Sequence, residues 1–242
     1  MHAVLEQEEE FLQSGFFIQS THNTIAFQVA MGLGCHGYNN TFVQRRLSFE
    51  SALLDACMLF EEGKVHTVST GGHDELSPTY FGLLDKAGHY SFCEESSTGS
   101  FSGEGSISFV LNNSPQDGSY AVIQALEMQY IPQNEASFAS VALPFLQRQG
   151  LAPQALGAIF TAYTEDEQSS RVYNDLSSNI FAGIPHVPYK AWCGEFFTAS
   201  AFGLWLAAHY LRSSYRPGIL ARLGADKYDS KVQILLLTTP AY

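Results

Sequence analysis

Helical and strand-like stretches alternate along this chain, and that alternation limits the folds open to it more than any other feature. Residues 47–62 carry Leu53, Leu54, Cys57, Met58 and Phe60 at helical spacing behind Ser48, a candidate cap, and Gly63 ends the run. Residues 66–69, followed by Gly71 and Gly72, read as a buried strand entering a tight turn. Residues 106–111 and 120–126 read as two further strands on either side of the turn NNSPQDGS. Further on, the pattern predicts helices over 136–149, 168–180 and 200–211 and strands over 157–163 and 231–238. Elements mixed in this order specify an α/β protein with layers of helix on the faces of a sheet. At 242 residues the chain buries a sizeable core, as one large domain or a pair of similar half-domains.

Composition narrows the functional classes. Hydrophobic residues make up 45% and charged residues only 15%, low in charge for a solvated monomer, which points to buried subunit surface. The net charge of -12 argues against a phosphate-neutralising nucleic-acid surface and against an anionic membrane. Cys35, Cys57, Cys93 and Cys193 lie far apart with no CxxC pair, so neither a disulfide framework nor a zinc site is indicated. Reduced thiols in a cytoplasmic protein are expected, and no motif asks for a cofactor or a metal. The N-terminus, MHAVLEQEEEFLQSG, lacks the basic-then-apolar pattern of a signal peptide. The longest apolar stretch, 199–211, is interrupted by Ser200 and His209, so membrane spanning is not expected either.

Three segments say more. FVQRRLSFESALLDACMLFEEGKVHTVSTGG (42–72) resembles a nucleophile strand, a nucleophile-bearing helix, the strand after it and a Gly-Gly turn. SGEGSISFVL (102–111) resembles a GEGA element with its strand, and KAWCGEFFTASAFGLWLAA (190–208) resembles a stretch of Lys, then Gly-His, then a small-residue helix. Each is weak alone, but the order and separation of all three resemble the β-ketoacyl synthase family. That resemblance implies the thiolase-like layered αβαβα fold, with a truncated N-terminal half over 1–125 and a C-terminal half over 126–242 in one compact unit. FFIQSTHNTIAFQVAMGLGCHGYNNTF and SFESALLDA are further similar to divergent synthase-like proteins of bacterial aryl polyene pathways. Family members carry more polypeptide before the STHNT segment, so missing opening strands are expected to leave edges and apolar faces for repacking or a partner to cover.

For chemistry the resemblance implies loss. A synthase needs a Cys at a helix N-terminus, where the dipole lowers the thiol pKa, and two His that stabilise a thioester enolate. Counting back from Gly63 puts Arg46, or Arg45 with a one-residue slip, at the Cys position. The first His position falls at Ala162 or Tyr163, and the second at Glu195 after Gly194. A guanidinium stays protonated and accepts no acyl group, which leaves Arg46 a salt bridge, an anion contact or a plug in the acyl tunnel. Lys190, the survivor of the charged set, is expected to order the motif backbone or to pair with Glu195.

The resemblance thus implies a chain-length-factor subunit without autonomous activity. Its partner would be a β-ketoacyl synthase carrying the active Cys, in type II polyketide or fatty-acid-like (aryl polyene) biosynthesis, and acyl carrier protein would be met indirectly. Tyr38, Asn39, Asn40, Thr41, Phe42, Val43 and Gln44 would form the interface strand. Arg46, Ser48, Phe49 and Glu50 would face the acyl tunnel, Phe49 limiting chain length. The alternative is a residual acyl-thioester hydrolase or malonyl-carrier-protein decarboxylase, with Glu195 as base and Arg46 holding a carboxylate.

The remaining chemistry-bearing residues read more simply as structure. Cys35 and His36, adjacent on a strand, would point to opposite faces, and the thiol is expected in the core. His22 suits a hydrogen-bonded network or an interface better than general-base work. His73, Asp74 and Glu75 form one short run with poor converging geometry for a metal. Glu165, Asp166 and Glu167 read as a solvated loop, and Thr198 is a candidate cap for the helix after it.

Overall fold

The computed structural model describes residues 21–86, 101–130, 137–164, 167–213, 217–223, 231–238 and 240. Contacts divide the chain into two units, Met1–Gln44 and Arg45–Tyr242. The first contains helix α1 (Thr24–Gly32), entered through a turn in which Thr21 Oγ1 donates to Asn23 Oδ1. Its exit turns at Gly34, whose φ of +65° is open to glycine without Cβ strain, and the Cys35 N–H returns to Ala30 O. No residue of α1 is buried: Ile25, Phe27, Val29 and Met31 are each at least half exposed. Cys35 and His36 follow this helical exit and lie on no strand, so the core position expected for the Cys35 thiol is corrected to an exposed one.

The second unit opens on a tight 3-10 turn (Arg45–Leu47) that runs into α2 (Ser48–Glu61). Phe49, Leu53, Ala56 and Leu59 recur every three or four residues and form the buried face. Leu54 and Met58, expected on that face, sit one position round the helix and are exposed. Ser48 is not the cap; it is already helical, and its hydroxyl donates to Arg45 O at 2.7 Å.

Strand β1 (Thr67–Asp74) pairs antiparallel with β2 (Gly105–Asn112), with α3 (Pro78–Lys86) between them in sequence. Gly71 and Gly72 lie inside β1 and do not turn the chain. A Cβ on Gly72 would come within 2.5 Å of Thr198 Cβ, so its small size serves close packing. A five-stranded sheet in the order β3-β7-β6-β4-β5 is built from β3 (Val122–Tyr130), β4 (Ala158–Thr161), β5 (His186–Pro188), β6 (Gly218–Leu223) and β7 (Lys231–Thr238). β4 runs parallel to β5 and β6, and β7 antiparallel to β3 and β6. The boundary expected at 125/126 falls inside β3. Helices α4 (Phe138–Arg148), α5 (Glu167–Val172), α6 (Lys190–Cys193) and α7 (Ala199–Ser213) complete the described elements. The single helix expected over 168–180 is instead α5 followed by a 3-10 turn, Asn174–Ser177. α4 starts at a capping box in which Ser137 and Ser140 satisfy each other's backbone N–H.

Two cores separate the layers. On one face of the large sheet Ile159, Ile234 and Leu236 pack with Phe138, Val141, Phe145 and Leu146 of α4. On the other, Ala158, Phe160, Leu235 and Leu237 meet Ala201, Leu204, Ala207 and Leu211 of α7, together with Phe49 and Leu53 of α2. α7 also touches β1 and β2, so it lies between the two sheets. The outward face of β1–β2 corrects another expectation. It carries Thr67, Ser69, Gly71 and His73 beside Asn112, Ser108 and Ser106, all exposed, and Val110 is the apolar exception.

Candidate functional site

The site is assembled at Gly194, where α6 stops. Gly194 holds φ +76°, and a Cβ on it would lie 2.9 Å from the backbone of Gly103 and Phe101. A Cβ on Gly103 would lie 2.1 Å from Cys193 O. Only two glycines let these segments cross backbone to backbone. The crossing is closed by Glu195 N–H donating to Phe101 O (2.8 Å) and Gly103 N–H donating to Glu195 O (3.0 Å).

This crossing holds the Glu195 side chain inside. Lys190 Nζ donates to its Oε2, and Arg46 Nε lies 3.3 Å from its Oε1. The Glu195 and Lys190 side chains are below a tenth exposed and that of Arg46 is 18% exposed. A carboxylate this deep is costly unless paired, and here each oxygen has its own cation. Arg46 reaches the cluster from the turn before α2, next to Arg45, whose φ of 53° is the positive value found among the described non-glycine residues. Burial pushes the neighbouring Cys193 thiol up to about 12, against the pull of Lys190 and with the push of Glu195, so it stays protonated.

The start of α7 is satisfied from β1. Asp74 Oδ2 accepts from Thr198 N–H (2.8 Å) and from Thr198 Oγ1 (2.6 Å), which sets a carboxylate at the positive end of the helix. Thr198, expected as the cap, uses its hydroxyl as a donor to Asp74. The cavity beside it, bounded by Asp74, Tyr80, Gly103 and Phe196, offers about 10 Å³, room for one water and not for an acyl chain. Among the described residues no three metal-binding side chains converge, and no helix is long and apolar enough to cross a membrane.

Of the residues singled out from sequence, the structure brings together Arg46, Lys190 and Glu195. Ala162 is buried in the core that also contains Phe49 and Phe196. Phe49 packs its ring 5.7 Å from that of Phe109, and Glu50 is fully buried. Residues 38–44 belong to none of the described helices or strands: Asn39 Nδ2 donates to Ala26 O, and Asn40 Nδ2 to Tyr38 Oη, while Tyr38 and Val43 are exposed. His22 is exposed. Cys93, Glu165 and Asp166 lie outside the described residues, and Glu167 opens α5. Sequence reasoning missed Asp74 as the cap of α7, and it missed the 2.5 Å hydrogen bond between Thr161 Oγ1 and His186 Nε2, whose imidazole pKa burial lowers.

Solved structures share this arrangement of two sheets around buried helices. The chain has the thiolase-like ketosynthase fold. Over 96% of its length it superposes on the ishigamide ketosynthase/chain length factor, with a TM-score of 0.69 at 18% identity. It superposes over 96% on the ketosynthase from module 1 of the bacillaene synthase of Bacillus amyloliquefaciens FZB42, with a TM-score of 0.73 at 12% identity. A ketosynthase in complex with its chain length factor from Xenorhabdus doucetiae matches 93% of the chain, with a TM-score of 0.67 at 16% identity. The chain spans 65%, 51% and 69% of those three proteins respectively. No family model and no curated protein matches the sequence. Within this fold, the Arg46–Glu195 pair joins the turn before α2 to the turn before α7.

Proposed function

We propose that this chain is a non-catalytic, chain-length-factor-type subunit that pairs with a β-ketoacyl synthase carrying the active Cys. The observation that carries the reading is the buried Arg46–Glu195–Lys190 cluster. A guanidinium and a carboxylate held to each other supply neither an acyl acceptor nor an imidazole, so thioester condensation has to come from a partner. Residues 38–44, with Tyr38 and Val43 exposed, are the segment offered to that partner. Carrier protein, acidic in this class of pathway, docks mainly on the ketosynthase subunit, because a chain of net charge -12 repels it. The pathway is of the type II polyketide kind, aryl polyene formation being the closest by sequence resemblance, and the complex is cytoplasmic.

The hydrolase alternative draws no support from the geometry, since both Glu195 oxygens are engaged by cations. Co-expression with a Cys-bearing ketosynthase tests the reading. The expected result is a complex that survives gel filtration and extends an acyl-carrier substrate, while this chain alone turns over neither acyl- nor malonyl-carrier protein. Turnover by the chain alone, abolished in Glu195→Gln, would replace the proposal with the enzyme reading.

A further inference from the structure

β5 is three residues long, and its last, Pro188, brings no N–H to the parallel pairing with β4. At its two ends Ile159 N–H donates to Pro185 O (2.8 Å) and Tyr189 N–H donates to Thr161 O (3.1 Å). Side chains tie the strands between those points, through the 2.5 Å hydrogen bond of Thr161 Oγ1 with His186 Nε2. Thr161 is fully buried and its Oγ1 accepts from Tyr163 N–H (3.4 Å), so its own proton goes to Nε2. That arrangement needs a neutral imidazole, because an imidazolium holds protons on both nitrogens and accepts at neither. A buried hydroxyl deprived of its acceptor is destabilising. The described groups that meet the ring are uncharged: besides Thr161, Tyr163 lies edge-on with ring centroids 5.8 Å apart, and its Oη bonds to Ser170 of α5 (3.3 Å). On α5 and the 3-10 turn behind Tyr163, Arg171 is exposed and Asp175 accepts from Ala139 N–H (3.3 Å). Burial accordingly lowers the His186 pKa from 6.5.

We propose that the Thr161–His186 hydrogen bond is an acid-sensitive latch: protonation of His186 takes the acceptor away from Thr161, releases β5 from β4 and loosens the segment that runs on to the buried cluster. The chain leaves β5 directly into Tyr189, fully buried, and then into Lys190, Cys193, Gly194 and Glu195. These residues hold the ion pair and the backbone crossing, so the latch sits upstream of the site in one short stretch. The direction of the effect follows from where the proton binds more tightly. At pH well above 6.5 the imidazole is neutral in the closed and the open chain alike, and the latch contributes in full. As pH falls through the lower value of the closed chain the contribution is lost, because the open segment takes up the proton first. This inference concerns the chain by itself and does not rest on pairing with a ketosynthase.

Labelling the full chain with 4,4′-dithiodipyridine, read for each cysteine by mass spectrometry, tests the latch. Exposed Cys35 is the internal reference, which cancels the pH dependence of the reagent and of thiol ionisation. The ratio of Cys193 to Cys35 labelling is expected to rise about tenfold from about pH 7.5 to about pH 5, while the same ratio for Cys57 of α2 stays level. In His186→Gln, whose side-chain amide accepts from Thr161 but does not titrate, the Cys193 ratio is expected to stay level too. A flat Cys193 ratio in the unmodified chain would overturn the proposal. So would a Cys57 ratio that rises in step, since the whole chain then opens, or an unaltered rise in folded His186→Gln. If that variant does not fold, an NMR titration of the His186 imidazole in the unmodified chain decides: a midpoint below 6.5 supports the latch and one at or above 6.5 overturns it. None of these measurements contains a ketosynthase, so a failure here leaves the pairing with that subunit standing.

Discussion

The two sheets of the 45–242 unit are built to different rules. All four residues of β4 in the large sheet are buried, and β7 sends Ile234 and Leu236 to one core and Leu235 and Leu237 to the other. In the small sheet β2 alternates strictly: Ile107, Phe109 and Leu111 turn toward α7 and α2, and Ser106, Ser108 and Asn112 toward solvent. Continuous apolar runs belong to strands covered on both faces and alternation to strands covered on one. The small sheet is therefore written as a one-sided ribbon.

The sharpest way to break that comparison is to remove one large side chain from each sheet. Phe160→Ala in β4 is expected to cost about 3–5 kcal/mol, and Val110→Ala on the outward side of β2 about 0.5 kcal/mol or less, read from urea unfolding midpoints. Equal costs would mean that the small sheet is covered on both faces. Next comes the cluster under the crossing. Glu195→Gln leaves two cations without their counter-charge and is expected to destabilise by about 3 kcal/mol, part of which Lys190→Met in the same chain restores. No change in the thermal midpoint of Glu195→Gln would show that the cluster is solvated.

A smaller effect concerns the tie between the sheets. Asp74→Ala removes the carboxylate with which β1 caps α7 and is expected to cost about 1 kcal/mol in the same unfolding assay, with a loss comparable in size from Thr198→Val. A further effect is seen in pH. The Cys193 thiol is raised in the folded chain from an ordinary 9.0 to about 12, so the unfolded chain loses its proton first. The stability this contributes is complete below pH 9 and is lost as pH rises toward 12. Iodoacetamide at pH 9 should label exposed Cys35 and leave Cys193 unmodified in the folded chain, as read by mass spectrometry. Labelling of both at the same rate would show an open site.

Some of this was legible in the residues. α2 and β7 lie close to their expected bounds, because one shows an apolar spacing of three and four and the other an unbroken apolar run. α1 was not legible: its Ile, Phe, Val and Met fall at every second position, which is the signature of a strand, and only the helical hydrogen bonds reveal the element. α3 hid in plain sight, with Pro78 at the first helical position and Gly82 diluting its apolar face. At the site, Lys190 and Glu195 carried opposite charges on either side of Gly194, and their pairing followed from nearness in sequence. Asp74 sits 124 residues from Thr198 and looked like part of a local acidic run.

Sequence by itself determined the layered α/β class and the one-sided character of β2. These depend on which residue stands at which spacing, and local geometry turns spacing into a buried or exposed face. The tertiary structure alone decided that Arg46 and Lys190 divide the two oxygens of Glu195 and that β1 caps α7 through Asp74. Those outcomes depend on which distant backbones cross, and the crossing at Gly103 and Gly194 is set by packing that no local pattern encodes.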